Sequence, residues 1–469
     1  MTRRLYTPRA FAPLAMGLFA DRPRCALFAK PGMGKTTMVL THLDYLHNVW
    51  GEDRPTLVLG PLRVARDVWT DEAAKWHHLR NLDVVSVTGT ADERAAALDR
   101  DAQVFATNYD NLPWLRDHYK RAKRAWPFAT VIADESTRLK SFRTRQGGAR
   151  AQALAAFAHK DVERWINLTG TPAPNGLADL WGQTWFLDAG ERLGHTYAAF
   201  EARYFAWRRV ADALSHKPGL KQTILPHAHE QIHAKIADLC LTLDPRDWFD
   251  MREPVVNVLE VDLPSKAMAK YKEFERELFI QLDGNNIEAF NAGAKTMKCL
   301  QLANGAAYLE DGVQWSELHA AKIEALDSLL EENSGAPILC AYHFKSDRTR
   351  LLAAFPDALD LSTDAGMAAA KAGRGRLWLG HPAGMGHGVD GLQEHCCDVA
   401  FFGHWWDLEQ HDQFIERVGP MRQLQAGKDR AVTVHYIVAR NTIDQVVVER
   451  RASKTDVQDL LLDYMKGKQ

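Results

Sequence analysis

The 469-residue sequence predicts an α/β fold: two parallel-sheet lobes in tandem, with a helical insertion between them. Three observations carry this expectation. Short apolar runs alternate with helical patterns over residues 25–170, and the alternation returns over 319–445. Between them, residues 186–310 are aromatic, charged and helical in period. A strand covered by helices on both faces reads as an unbroken apolar run, so alternation of this kind implies mostly parallel sheets. The length agrees, since a single hydrophobic core rarely organises more than about 250–300 residues.

In the first lobe the runs are Cys25–Ala29, Thr56–Gly60, Asp83–Val87, Gln103–Ala106, Thr130–Ala133 and Trp165–Leu168, with helical stretches such as Thr36–Tyr45 and Arg63–Trp76 between them. The pattern breaks after Trp181, and Ala267–Leu282 is typical of the helical material that follows. In the second lobe the runs are Pro337–Ala341, Arg376–Leu379, Val399–Phe402 and Val432–Ile437, closed by an amphipathic helix over Thr442–Tyr464. The expected domains are therefore 1–187, 188–310 and 311–469, and no repeat of solenoid period is present.

A net charge of −2 argues against a surface that coats nucleic acid indiscriminately, while leaving room for a local basic track. The six cysteines, at 25, 240, 299, 340, 396 and 397, form no Cys-x-x-Cys pair and no metal spacing, so reduced core thiols are expected. Arg3 and Arg4 before the apolar stretch Ala10–Ala20 faintly imitate a secretory leader. Pro13 interrupts that stretch and a phosphate motif follows at once, so it reads as a first helix packed on the lobe. No apolar run reaches the ~20 residues that cross a bilayer. A cytoplasmic protein without a membrane partner is the expectation.

Ala29-Lys30-Pro31-Gly32-Met33-Gly34-Lys35-Thr36 follows a predicted strand and opens a predicted helix, matching a P-loop except that Ala29 replaces the first glycine. Gly32 and Gly34 let backbone N–H groups approach phosphate closely, and the helix N-terminus adds partial positive charge. Gly32, Met33, Gly34, Lys35, Thr36 and Thr37 are the candidate ATP contacts; Lys35 would neutralise the β- and γ-phosphates and Thr36 would ligate Mg²⁺. Val131-Ile132-Ala133-Asp134-Glu135 delivers two acids to the carboxyl edge of a sheet, where ligands bind in such folds. Asp134 would hold Mg²⁺ through water and Glu135 would polarise the attacking water, although such a pair can also cap the next helix.

With these residues in place, the sequence resembles the superfamily-two helicase-like ATPases of the Swi/Snf type, in the compact form common in bacteriophages and bacteria. The resemblance covers nearly the whole chain and is weakest at 188–310. It implies two RecA-like lobes that hydrolyse ATP between them and move on DNA. Leu59-Gly60-Pro61-Leu62, with Arg63, Trp69 and Glu72 behind it, is similar to the motif that grips a DNA strand, and Thr107-Asn108-Tyr109 resembles the next strand-contacting motif. Asp134–Thr137 and Lys140 match the acidic motif. Leu168-Thr169-Gly170-Thr171-Pro172, with Asn175, Leu177 and Trp181, closely matches the motif coupling nucleotide state to DNA. In the second lobe Gly386-His387-Gly388-Val389-Asp390 resembles motif V, with Gly388 and Asp390 facing nucleotide and His387 facing DNA. Trp406, Gln413, Glu416, Arg417, Arg422 and Gln423 resemble motif VI, whose arginine reaches the γ-phosphate. By this resemblance the catalytic set is Lys35, Asp134, Glu135, Gln413, Arg417 and Arg422, and the DNA set is Pro61, Arg63, Thr107, Asn108, Lys140, Thr169, Thr171 and His387.

Departures from the family pattern accompany the match. Pro420 stands where a second arginine is usual, so either the loop re-registers and Arg422 serves, or one arginine is missing; Arg417 is read as the finger, with a surface salt bridge as its alternative. Thr137 replaces a common His, and Asp390 puts an acid where Asn is common and where it would repel phosphate. No Gln occurs in residues 1–20 to read adenine, which leaves Tyr6 or Arg9 to stack on the base. Residues 115–150 carry ten Lys/Arg against three acids, either a solvated helix face or a track for DNA phosphates. Most of the 14 tryptophans are expected in the core. Contacts to phosphate carry little base information, so the expected partner is duplex DNA bound without sequence preference. No strand-splitting hairpin, nuclease, reader or zinc module is recognisable in the sequence, which leaves such work to a nuclease or replication partner. A P-loop kinase or GTPase needs one lobe and lacks support in the second; an ATP-binding scaffold with weak turnover is the other alternative.

Overall fold

A computed structural model describes residues 3–144, 148–211, 218–280, 297–308, 314–333, 335–385, 389–428 and 430–453. The chain divides into two compact units, the first ending at Phe249 and the second opening at Asp250.

In unit 1 the strands are β1 (Arg24–Ala29), β2 (Thr56–Gly60), β3 (Val84–Ser86), β4 (Val104–Asn108), β5 (Thr130–Asp134), β6 (Arg164–Thr169), the pair β7 (Phe205–Ala211) and β8 (Pro218–Ile224), and β9 (Cys240–Leu243). Seven of them form one sheet in the order β3-β4-β2-β5-β6-β1-β9, with every neighbouring pair parallel. Every residue of β2, β4 and β5 is buried, which is why their sequences run apolar without alternation. Trp165 on β6 stacks on Phe186 at 4.8 Å, and Trp69, Trp165 and Trp181 are among the largest fully buried side chains. Core packing thus accounts for these tryptophans, as expected; Trp50 and Trp207 lie outside it, more than half exposed.

Unit 2 contains β10 (Val255–Val261), the small antiparallel pair β11 (Ala306–Tyr308) and β12 (Trp315–Glu317), β13 (Ile338–Ala341), β14 (Leu359–Asp360), β15 (Leu377–Gly380), β16 (Asp398–Phe401) and β17 (Thr433–Ala439). Six of these form a second all-parallel sheet, β10-β17-β16-β13-β15-β14. Residues 443–453 are helical; the remainder of the predicted closing helix lies outside the described residues.

The stretch 188–310, read as helical from its sequence, is mixed. It contains the helices Tyr197–Tyr204, Ala228–Ile236 and Ser265–Ile280, but also the β7–β8 hairpin, and β9 and β10, which are edge strands of different sheets. β9 is only four residues long, and Val255, Val256 and Val258 of β10 are about half exposed, so neither strand produces a long buried apolar run. The six cysteines are free thiols, five of them buried, in line with expectation. Among the described residues no helix is long and apolar enough to cross a membrane.

Unit 2 is pinned by a buried ion pair. Lys322 Nζ lies 2.5 Å from Asp444 Oδ2, with both side chains fully buried, and also donates to Asn304 Oδ1 (2.7 Å) and the Phe402 carbonyl (3.2 Å). Four segments distant in sequence meet at this ammonium. Removing one partner of such a pair leaves a buried uncompensated charge, a loss of about 3–5 kcal/mol. Lys322→Met is therefore expected to lower the urea-unfolding free energy of unit 2 by about that amount, and Lys322→Met/Asp444→Leu to recover most of it. Equal instability of the single and double variants would contradict the assignment.

Candidate active site

The order of unit 1's sheet puts three chain reversals side by side. β6 lies between β1 and β5, with Phe28 opposite Thr169 and Asp134 opposite Leu168. The carboxyl ends of these strands therefore carry, in a row, the loop 30–34, the turn 170–172 and the acidic pair.

β1 ends at Ala29 and the helix Lys35–Asp44 begins six residues later, the strand–loop–helix arrangement expected of a P-loop. Gly32 (φ 82°) and Gly34 (φ 80°) occupy the left-handed region, which a side chain would strain. The Lys35 ammonium donates to the Ala29 carbonyl at 2.5 Å. Arg9 Nη1 donates to the Gly32 carbonyl at 3.0 Å, tying the N-terminal segment to the loop. Met33 is buried. Thr36 is half-buried. Thr37, expected among the nucleotide contacts, is turned elsewhere: its hydroxyl donates to Glu72 Oε1 at 2.7 Å, and the Trp76 indole donates to the same oxygen. Tyr6 stacks on His78 at 4.8 Å and, with Pro8, Met38 and Thr41, lines an apolar cavity of about 470 Å³.

Asp134 and Glu135 are both buried at the end of β5. Burial raises the Asp134 pKa above the ordinary carboxylate range, opposed by the nearby Lys35 charge and by the Trp69 indole, which donates to Oδ2 at 3.1 Å. The Tyr109 hydroxyl donates to the Asp134 carbonyl at 3.0 Å. Glu135 adopts φ 55°, ψ 58°, a left-handed conformation that costs a non-glycine residue roughly 1–2 kcal/mol and that clusters at functional sites. It turns the chain into the short 3₁₀ segment Ser136–Leu139, so the alternative of simple helix capping has no hydrogen bond behind it.

Two glycines make the packing around the pair possible. A Cβ on Gly170 would lie 3.1 Å from Pro31 Cδ and 3.3 Å from the Ala29 oxygen, so the turn after β6 rests directly on the phosphate loop. A Cβ on Gly182 would lie 2.5 Å from the Leu139 carbonyl oxygen, so the helix Ala178–Asp188 presses on the segment after the acids. From that helix Gln183 accepts from the Ser136 hydroxyl (2.8 Å) and donates to the Pro172 carbonyl (2.7 Å). Gln183 and the Trp69–Asp134 contact were missed in the sequence; a lone amide in an apolar helix is the one signal that pointed to Gln183.

The described members of the DNA set differ in exposure. Thr107, Asn108, Thr169 and Thr171 are buried. The Thr107 hydroxyl donates to the Val87 carbonyl, Asn108 Oδ1 accepts from Asn111, and Thr169 Oγ1 accepts from the Thr171 N–H. In this structure these groups, at or near the ends of core strands, bond within the protein. Pro61, Arg63 and Lys140 are half-buried, and His387 and Gly388 lie outside the described residues. The basic run divides as well. Arg116, Arg124 and Arg150 pair with Asp117, Asp99 and Asp110, and Arg143 lies over the Tyr197 ring at 3.4 Å.

In unit 2, Arg417 is buried and donates to the Val389 carbonyl and the Gln413 carbonyl, both at 3.0 Å. Gln413 is buried on the same helix, and Gln423 donates to the carbonyls of Cys396 and Val418. Pro420 opens a new helix, Pro420–Gln425, at a position where its missing N–H has no partner to lose. Arg422 lies within that helix and pairs with Asp390 at 3.0 Å. The acid expected to repel phosphate is thus met by an arginine, and also accepts from Gln393 and the Gly391 N–H.

The SNF2-related domain matches residues 18–304. Protein p41 of Acyrthosiphon pisum secondary endosymbiont phage 1 is 51% identical over 465 residues, covering 99% of each chain. Helicase SWR1 of Gibberella zeae is 26% identical over 62% of this chain, and ISWI chromatin-remodeling complex ATPase ISW2 of Saccharomyces cerevisiae is 29% identical over 33% of it. The aligned regions span only 16% and 13% of those two proteins. Among solved structures, the Sulfolobus solfataricus SWI2/SNF2 ATPase core in complex with dsDNA aligns over 98% of this chain and 93% of its own, at 19% identity and a TM-score of 0.43. With a match across more than half its length, the chain belongs to the SNF2-related family.

Proposed function

We propose that this protein is an ATP-driven motor that moves along duplex DNA without reading its bases. The observation that carries the reading is the meeting, in unit 1, of the loop bearing Lys35 with the buried acids at the end of β5, close enough for the lysine's charge to hold down the Asp134 pKa. The relatives named as helicases and as a chromatin-remodeling ATPase support the same direction.

The residues fit ATP with Mg²⁺: a phosphate loop with two positive-φ glycines, a lysine, a threonine at the helix start and two buried carboxylates. Mg²⁺, held by Thr36 and Asp134, would supply charge neutralisation on the phosphates. Lys35 neutralises the β- and γ-phosphate oxygens. Glu135, set by its left-handed backbone, orients the attacking water and takes up its proton. Gly170 on the phosphate loop, and Gln183 between Ser136 and Pro172, carry a change at the phosphates into the turn 170–172.

Of the two motif VI arginines, the inward hydrogen bonds of Arg417 support a structural role, and Arg422 is the better candidate for the charge that acts on the transferring phosphoryl. A weak-turnover scaffold is the second reading, favoured by that inward Arg417.

Steady-state ATPase assays with and without duplex DNA test the proposal, beside triplex-displacement and fork-unwinding assays. Duplex-stimulated turnover with triplex displacement is expected; absence of turnover returns the scaffold. Lys35→Ala should lower kcat by ~10²–10³-fold. Glu135→Gln should retain ATP binding and lose ~10²–10⁴-fold in kcat. Near-native turnover in either variant would remove the site.

In the metal-free protein burial favours protonated Asp134, so the acid limb of kcat/KM, which reports the free enzyme, should lie above the ordinary carboxylate range. The Trp69 N–H stabilises the ionised form, so Trp69→Phe should move that limb to higher pH. An unmoved limb, or a downward shift, would show that Asp134 is not the group titrating. Arg422→Ala should cut kcat by ~10³-fold or more without loss of stability. Arg417→Ala should instead destabilise unit 2 by about 1–3 kcal/mol, since it leaves buried carbonyls without donors. Chemical denaturation beside kinetics distinguishes the two, and the opposite pattern would restore Arg417 as the finger.

A further inference from the structure

The last strand of unit 1 lies against the first. β9 pairs with β1 in parallel, from Cys240 opposite Ala26 to Leu243 opposite Ala29. The chain therefore leaves β9 at the same edge, and at the same level, as it enters the phosphate loop from β1. The residues Asp244–Phe249 that follow close unit 1, and Asp250 opens unit 2. They form a tight turn. Buried Asp244 pairs with Arg246 at 2.6 Å. The Asp247 N–H donates to the Asp244 carbonyl at 3.2 Å, and those of Trp248 and Phe249 donate to the Pro245 carbonyl at 3.1 and 2.9 Å.

Two residues of the N-terminal segment join this exit turn to the phosphate loop. Phe11 is buried and packs edge-on to Trp248 at 5.5 Å and to Phe249 at 6.1 Å. The Arg9 guanidinium lies 5.5 Å from the centre of the Phe249 ring, while its Nη1 donates to the Gly32 carbonyl at 3.0 Å. The peptide that carries this carbonyl is held at both ends, since its N–H, on Met33, donates to the Lys30 carbonyl at 3.3 Å. In a trans peptide the C=O and N–H point in opposite directions, so neither turns without the other.

We infer that Arg9 is a positioning residue that ties the exit turn Asp244–Phe249 to the occupancy of the phosphate loop. Phosphate in such a loop draws the backbone N–H groups toward itself. Turning the Met33 N–H toward phosphate swings the Gly32 carbonyl away from Arg9. Phosphate oxygens then offer the guanidinium the stronger acceptor, because a charge-assisted bond is roughly twice as strong as a neutral one. As Arg9 moves to them it leaves the Phe249 ring, and the turn that ends unit 1 loosens. This rests on the ATP reading of the site and adds a route by which the site reports its state to the segment leading out of the unit.

Hydrogen exchange of the full chain, read by mass spectrometry on peptides spanning Asp244–Phe249, tests the tie with and without Mg²⁺ and a non-hydrolysable ATP analogue. Binding is followed separately with a fluorescent ATP analogue. With nucleotide bound, exchange at the Asp247, Trp248 and Phe249 amides should rise by about two- to fivefold, the worth of one partly exposed cation–π contact. Arg9→Ala and Phe249→Leu should each show the faster exchange without nucleotide and no further rise on adding it. Arg9→Lys should restore part of the response, and Phe249→Leu should bind nucleotide with wild-type affinity. Should Phe249→Leu speed exchange throughout unit 1, the Arg9→Ala and Arg9→Lys pair decides alone. A full response in Arg9→Ala overturns the inference and leaves the motor standing, as does nucleotide binding by the wild type with no change in exchange. A wild type that binds no nucleotide overturns the ATP reading and this inference with it.

Discussion

Two carboxylates are kept almost out of water at the end of a central strand, and much of unit 1 exists to make that tolerable. A buried carboxylate is disfavoured in its charged form, and the proposed hydrolysis requires that form. The Asp134 charge is therefore supported from three directions: Lys35 by its charge, Trp69 by an indole N–H and Glu135 by its backbone N–H. These groups come from different segments, so the site forms only when β1, β2 and β5 have assembled and the helix Trp69–Lys75 has docked. Burial still outweighs the support, since the pKa stays raised. A carboxyl whose folded pKa exceeds its unfolded value contributes stability at low pH that is lost as pH rises through the folded pKa. At neutral pH this buried carboxyl thus works against the fold that holds it.

The same constraint explains the glycines. With the acids recessed, the groups that sense them must approach at backbone distance, and side chains would hold them off. Gly170 lets the turn after β6 touch the phosphate loop, and Gly182 lets a helix press on the segment after Glu135. Gln183 then joins the two turns through one amide, accepting with its oxygen and donating with its nitrogen. A Cβ at either glycine would meet its neighbours at 2.5–3.3 Å, so only glycine lets these segments lie this close.

How much of this was legible in the sequence depended on whether a feature leaves a local trace. The ten predicted strand runs all fall on strands because buried parallel strands are continuous in apolar character, and the phosphate loop was legible because its glycines, lysine and threonine are contiguous. Edge strands β9 and β10 were illegible because one is short and the other faces water. The hairpin β7–β8 was missed for a related reason: its strands are mixed in character, with cations and a tryptophan where a buried strand would be apolar. Trp69 and Asp134 lie 65 residues apart, and nothing in either neighbourhood announces the bond. The hydroxyls of Thr107 and Thr169 look available in a motif, yet both lie at the ends of core strands where the backbone claims them.

Arg417 shows the same ambiguity most sharply. An arginine aimed at a phosphate and one aimed at backbone carbonyls are identical in a sequence motif; only the surroundings differ. Here the guanidinium closes the segment around Val389 onto the helix Leu408–Ile415, while Gln423 ties the Cys396 carbonyl to that of Val418. Pro420 explains how the motif can still deliver a charge. By starting a new helix it resets the register, so the arginine two residues later sits on a rigid turn and not in the loop. Asp390 then holds Arg422 by a partly exposed ion pair, worth little in stability and easily exchanged. A phosphate bearing more charge than one carboxylate can compete for that guanidinium. Under the proposed function, the acid that looks misplaced in the family pattern would then serve as a resting partner for Arg422, keeping the arginine oriented when no phosphoryl group is within its reach.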